Sequence, residues 1–364
     1  MSEQVQVGIV GTSGWADMMY LPSLTSHPGA SVAAICGRSR ERAQEIADKY
    51  NVPTVFTDYR EMIEKGDLDA LVVATPDDLH YPMTMAALDA GLHVLCEKPM
   101  ANNAKQAREM LEKAEEADVK HMILFFGRWM PYYLYLHHLI EEGYIGRPFH
   151  THFSTLMGFG RSGDFHWTND RRRSNGALAG LGSHMIDLAR WFLGDVANVR
   201  ASLSAFVERK GDDGFSANDS ALLILEFIDG AQATIQSSNV AQVGDHITEL
   251  HINLFGEKGT LHADVNVSGV EDGAVIRGVR GDGEPWQVLP VPEAYWGEVD
   301  RSDFAKATVP GVFQKQAAGP RLFVDAILED KPISPSFYDG FKVQQVIDAA
   351  LQSAKTGRVV TIEN

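Results

Sequence analysis

The first third of the chain alternates two kinds of segment, and that alternation limits it to a layered α/β fold. The apolar runs VQVGIV, SVAAIC, DALVVAT and HVLCE are separated by the amphipathic stretches ADMMYLPSL, RERAQEIADKY and YPMTMAALDA, and AKQAREMLEKAEEA follows the last of them. Continuous apolar runs suit parallel strands buried on both faces, and the stretches between them suit the helices of right-handed crossovers. The expectation is a doubly wound parallel sheet, with HMILFF at 121–126 closing the domain.

The pattern changes after about residue 128. A helix-like YYLYLHHLIEEG, the run PFHTHFSTLM, a Gly/Arg/Asn-rich loop from Gly158 to Gly176 and the helix-like LGSHMIDLARWFLG come in succession. Hairpin signals follow at Asp229-Gly230 and near Glu257 to Gly259, which imply a large, mostly antiparallel sheet. The fold class expected is therefore α/β, a Rossmann-type domain over 1–127 and an α+β substrate-binding and oligomerisation domain over 128–364. The C-terminal helices, expected near 316–330 and 338–356, are free to pack back on the first domain. Residues 292–315 show no period and read as a long loop or an excursion over a neighbouring subunit.

A formal net charge of -17 argues against nucleic acid and anionic membrane surfaces, which need clustered cations, and leaves a small molecule as the expected partner. The two cysteines, Cys36 and Cys96, each end an apolar run and indicate no disulfide framework, which fits a reducing compartment. With neither a leader pattern nor a membrane-length apolar stretch, the expected location is the cytoplasm.

The turn GIVGTSGWA opens the first helix where a dinucleotide-binding turn must lie. The fingerprint G-x-G-x-x-G/A maps to Gly11, Ser13 and Ala16, with serine replacing the middle glycine, so Gly11, Thr12, Ser13, Gly14 and Ala16 are candidate cofactor contacts. At the end of the second strand the ribose-reading position holds Gly37, followed by Arg38, Ser39 and Arg40. The absence of a carboxylate and the presence of guanidinium groups favour NADP(H) over NAD(H).

Taken in order, this turn, ATPDDLHYP, LCEKPM, EEGYIGRPF and GSHMIDLARWFLGD resemble the Gfo/Idh/MocA family, the glucose-fructose oxidoreductase and inositol dehydrogenase-like proteins. The resemblance covers residues 5 to 200 well and the later sheet by pattern. It implies that Lys98 lies near the nicotinamide and hydrogen-bonds the reacting oxygen, that His184 transfers the proton, and that Thr75, Pro76 and His80 line the cofactor. Glu97 joins the cofactor site by anchoring Lys98. Physical reasoning gives the same two reacting groups: Lys98 ends a strand where α/β sheets bind ligands, its ammonium suits a developing alkoxide, and an imidazole suits the hydroxyl proton. Asp187 lies one helical turn beyond His184, placed to orient the imidazole or touch substrate. One departure stands out: four residues before the histidine, where the family usually has aspartate in L-x-D-x-G-x-H, this chain has Gly180.

The loop GRSGDFHWTNDRRRSNG is a candidate substrate wall: Trp167 suits stacking on a sugar face, and Arg171 and Arg172 suit an anionic substituent, with Arg128 joining them. Met18, Met19 and Tyr20 are better read as core than as nicotinamide contacts. His150 and His152 share a strand face but lack a nearby third ligand, so no metal is expected. The leading function is an NAD(P)-dependent oxidoreductase acting on a sugar, sugar derivative or cyclic polyol. The alternatives are a glycoside hydrolase that oxidises, eliminates, adds water and re-reduces, and a non-catalytic binding protein. A homodimer or homotetramer is expected, built through the face of the second sheet.

Overall fold

The computed structural model describes residues 4–268 and 273–363. The chain divides into two compact units, Met1–Phe125 with Val309–Phe341, and Phe126–Thr308 with Lys342–Asn364.

In the first unit the strands are β1 (Val5–Val10), β2 (Ala30–Cys36), β3 (Thr54–Phe56), β4 (Ala70–Val73), β5 (His93–Cys96) and β6 (His121–Ile123). They form one sheet in the order β3-β2-β1-β4-β5-β6, and each neighbouring pair is parallel. Ile9, Leu71, Val72 and Leu95 are fully buried, as continuous apolar strands between two helix layers require. Side-chain caps fix where helices begin: Ser39 accepts the amide of Arg42, Asp58 that of Arg60 and Asn103 that of Gln106. Strand order reverses between β1 and β4, the point where open α/β sheets leave a crevice beyond the carboxyl ends of their strands.

The second unit holds β7 (Pro148–Met157), β8 (Val196–Ser204), β9 (Ser220–Phe227), β10 (Gln232–Ser238), β11 (Thr248–Gly256), β12 (Gly259–Val267), β13 (Ala274–Arg280), β14 (Gln287–Val288) and β15 (Val360–Thr361). Their order is β14-β13-β12-β11-β7-β10-β9-β8-β15, antiparallel throughout except for the parallel pair β10 and β7. The two hairpins turn at the expected places, and Gly230 supplies a φ of 90° at the first. Along β9, Ala221, Leu223, Leu225 and Phe227 face the core while Leu222 and Ile224 remain exposed, the two-residue period of a half-covered sheet.

The structure corrects the expectation for residues 292–315. They form short helices, Glu293–Trp296, Phe304–Ala307 and Val309–Lys315, and pack on their own chain. Trp296 and Phe304 lie 6.1 Å apart and both meet Tyr132 in the second unit, at 6.4 and 6.2 Å between centroids. In the first unit Phe313 is buried and its carbonyl accepts from the Ser23 hydroxyl at 2.8 Å. Helices of four residues are too short to show a period, and aromatic burial rather than periodicity orders the segment.

Candidate active site

The first unit brings four expected segments to the carboxyl end of its sheet. Gly11 follows β1 with φ 125°, and a side chain there would overlap the Ala74 carbonyl beyond β4, so only glycine allows the approach. Around Gly14 no heavy atom lies within 4 Å of where a Cβ would stand, which leaves the backbone of the turn open. An open, glycine-lined turn leading into the helical segment Ala16–Thr25 fits a pyrophosphate. Thr12 packs over Gly37, where a Cβ would strike the threonine methyl, and this explains the missing side chain at the ribose-reading position. Arg38, Ser39 and Arg40 are exposed beside it, although the Ser39 hydroxyl already caps the next helix.

Lys98 is half-buried just beyond β5. The buried Glu97 carboxylate accepts the Lys98 amide at 3.0 Å and the Tyr20 hydroxyl at 2.8 Å. Burial, reinforced by the neighbouring carboxylate, raises the Tyr20 phenol well above its usual range, so it stays a donor. On the other side, His80 Nδ1 lies 2.7 Å from the Pro99 carbonyl and its Nε2 2.8 Å from the Thr75 carbonyl. His80 is fully buried, which corrects the expectation that it lines the cofactor: it ties the Thr75-Pro76 loop to the Lys98-Pro99 turn instead. Thr75 and Pro76 themselves are half-exposed.

In the second unit His184 sits on the helix Ser183–Leu193, 8% exposed, with its ring 4.2 Å from that of Phe126. Arg128 donates through Nε and an Nη to the two oxygens of Asp187, at 2.9 and 2.6 Å. Asp187 is 1% exposed, too deep to touch a ligand, and the guanidinium of Arg128 is turned onto it. This corrects the expectation that both contact substrate; they are a buried pair, Asp187 on the His184 helix and Arg128 closing on it.

The loop before that helix is anchored on residues 204–219. The Arg171 amide donates to the Phe215 carbonyl, that of Ala217 to Asn169, and that of Lys210 to Gly163. Arg171 and Arg172 both lie over the Phe215 ring, at 4.8 and 4.4 Å. Arg172 also pairs with Asp170 and Asp213, which raises its pKa and holds that of Asp170 down, chiefly through the hydrogen bond between them. Arg172 thus shares its charge with Asp170 in the loop and with Asp213 beyond it, and it stays exposed at the surface beside Arg171 and the half-buried Trp167. The two histidines of β7 have ordinary partners, His152 the Thr234 hydroxyl at 2.9 Å and His150 the Phe255 ring at 4.7 Å.

Sequence reasoning passes over Arg209, which donates to the Ser162 and Gly160 carbonyls at 2.9 and 3.0 Å and so clamps the loop from beneath. Nothing local marks it, because ERKGDDG has the composition of a solvated turn. Met18 is exposed rather than core, whereas Met19 and Tyr20 are buried.

A family model described as an oxidoreductase family with an NAD-binding Rossmann fold matches residues 5–125, and the GFO/IDH/MocA C-terminal domain matches residues 133–262. Levoglucosan dehydrogenase of Pseudarthrobacter phenanthrenivorans is 25% identical over 347 residues, covering 86% of this chain and 85% of that protein. Inositol 2-dehydrogenase of Rubrobacter xylanophilus is 26% identical over 364 residues, covering 100% of this chain and 94% of its own. A solved levoglucosan dehydrogenase in complex with NADH and levoglucosan shares the fold, with a TM-score of 0.86 at 22% identity and full coverage of both chains. Among the described residues no helix is long and apolar enough to cross a membrane.

Proposed function

We propose, from the premise that this chain belongs to the Gfo/Idh/MocA family of NAD-binding oxidoreductases, that it moves a hydride between a nicotinamide and a hydroxyl-bearing carbon of a sugar, sugar derivative or cyclic polyol. The observation that carries the reading is the carboxyl end of the first unit's sheet, where the open glycine turn, the Thr75 loop and the half-buried Lys98 follow three adjacent strands. The nicotinamide, when bound, supplies the hydride acceptor or donor. Lys98 donates a hydrogen bond to the reacting oxygen and stabilises its developing negative charge. His184 accepts the hydroxyl proton on oxidation and returns it on reduction. Trp167 and Arg171 contact the substrate, and the relatives named for levoglucosan and inositol support a cyclic, polyhydroxylated one.

Gly11, Thr12, Ser13 and Gly14 hold the pyrophosphate, while Ala16, expected among these contacts, is fully buried and packs behind the turn, and Arg38 turns the preference toward NADP(H), since no carboxylate stands at Gly37 to meet a ribose 2′-hydroxyl. The test is absorbance at the nicotinamide band with NAD or NADP and a panel of sugars and polyols. Turnover with a carbohydrate, lost in both Lys98→Ala and His184→Ala, is the expected result. Release of an aglycone without net change in cofactor would mark the glycoside hydrolase instead, and equal affinity for NAD and NADP would remove the cofactor assignment. A second copy of the chain is the expected cover for the sheet face bearing Leu222 and Ile224, 51% and 53% exposed. Light scattering that returns a monomer would refute it.

A further inference from the structure

The helical segment that begins at the glycine turn opens with a π-turn, Ala16–Tyr20, and only then continues as the α-helix Leu21–Thr25. Wider turns of this kind insert a residue into the helical repeat and re-aim the side chains that follow, and they recur at functional sites. Here Met18 is left 43% exposed while Tyr20 is fully buried, its hydroxyl 2.8 Å from a carboxylate oxygen of Glu97, a residue 77 positions away. The other oxygen of that carboxylate takes the backbone N–H of Lys98 at 3.0 Å. A buried carboxylate needs its lone pairs met, so the two donors fix its plane, and the plane fixes the start of the Lys98 turn.

We propose that Tyr20 is a positioning residue for Lys98, a strut that ties the segment following the cofactor turn to the carboxylate holding the reactive lysine. Neither its sequence context nor the motifs of the resemblance mark it. The strut spans two functions of the first unit: one end continues from the turn assigned to the pyrophosphate, and the other ends at the group assigned to the reacting oxygen. His80 holds the far side of the same turn through the Pro99 carbonyl, so losing the phenol leaves the fold standing and frees Lys98 from one direction only.

This inference rests on the role proposed for Lys98, and the experiment separates the two. The variants are Tyr20→Phe, Glu97→Met, the double variant and Lys98→Ala, each assayed for kcat, for KM and for NAD(P)H affinity from the fluorescence of the reduced nicotinamide. Tyr20→Phe keeps the ring and removes only the donor. The expected result is a kcat lowered about 10- to 100-fold, the range for a misplaced reacting group, with cofactor affinity and melting temperature close to those of the parent. The double variant should be no slower than the worse single one, since both cut one strut. Full kcat in Tyr20→Phe, with Lys98→Ala inactive, would overturn the strut and keep the lysine assignment. Full turnover in Lys98→Ala would overturn the lysine assignment itself. Should Tyr20→Phe not fold, Glu97→Met decides alone, because it keeps the length of the side chain and offers no acceptor to Tyr20 or to the Lys98 N–H; an undiminished kcat there also overturns the strut.

Discussion

Arg128 and Asp187 close on each other with two parallel hydrogen bonds, at 2.9 and 2.6 Å, in a part of the second unit where the carboxylate is 1% exposed. A charge so placed depends on its partner, because the desolvation cost remains when the attraction is removed. Asp187→Ala or Arg128→Ala should therefore destabilise the protein by about 3–5 kcal/mol. The double variant Arg128→Met with Asp187→Leu should recover much of that loss. Urea unfolding of the parent, the single variants Arg128→Met and Asp187→Leu and their double measures the coupling, and additive losses would show that the pair is not a unit.

His121 gives a pH dependence with a definite sign. Burial, aided by the Lys120 charge, pushes its pKa down from 6.5 to about 4, and its Nδ1 accepts the Phe337 amide at 3.1 Å, which requires an unprotonated nitrogen. The folded state thus binds this proton less well than the unfolded state. The contribution is fully present above about pH 6.5 and is lost as pH falls toward 4, up to about 3 kcal/mol. Chemical unfolding at pH 7 and pH 5 should show that decline in the parent and a much smaller one in His121→Gln. Equal slopes in the two would contradict the assignment.

Local pattern carries the strands, the hairpins at Asp229-Gly230 and Glu257 to Gly259, and the turn at Gly11, because each is decided by neighbours in sequence. Partnerships among polar residues are not encoded that way. Arg128 meets Asp187 59 residues away, and Tyr20 meets Glu97 77 residues away. From sequence, a carboxylate one turn beyond His184 looks available to the imidazole or a ligand; only the packing of the segment Phe126–Trp129 against the helix assigns it to Arg128. Arg172 shows the same limit, since Asp213, which shares its charge, arrives from another loop. Glycine at 37 reads as a missing ribose ligand, and the structure adds the reason: Thr12 occupies the space.

Both thiols should be inert in the folded protein. Burial, with some help from Asp58, pushes Cys36 up to about 11, and Cys96 is raised further by complete burial. The thiolate is the reactive form, so little of it exists at neutral pH. Iodoacetamide should label neither residue in the native protein and both after denaturation; rapid native labelling at either would show that its strand end opens.

Gly180 stands four residues before His184 in the π-turn Leu178–Gly182, and no heavy atom lies within 4 Å of where its Cβ would be. Gly180→Ala should fit without strain and stabilise the protein by about 0.5–1 kcal/mol, because a helical glycine loses more backbone entropy than alanine. Gly180→Asp should also fit, and it sets a carboxylate about one turn from the imidazole, on the same face. A nearby negative charge favours the protonated ring, so the pKa of His184 should rise. If His184 is the base that takes the hydroxyl proton, the acidic limb of the kcat profile for oxidation, where that base becomes protonated, moves to higher pH by about one unit in Gly180→Asp. It stays in place in Gly180→Ala, which adds bulk without charge. A limb that shifts equally in both variants would trace the effect to packing, and one that moves in neither would mean that a group other than His184 carries the proton.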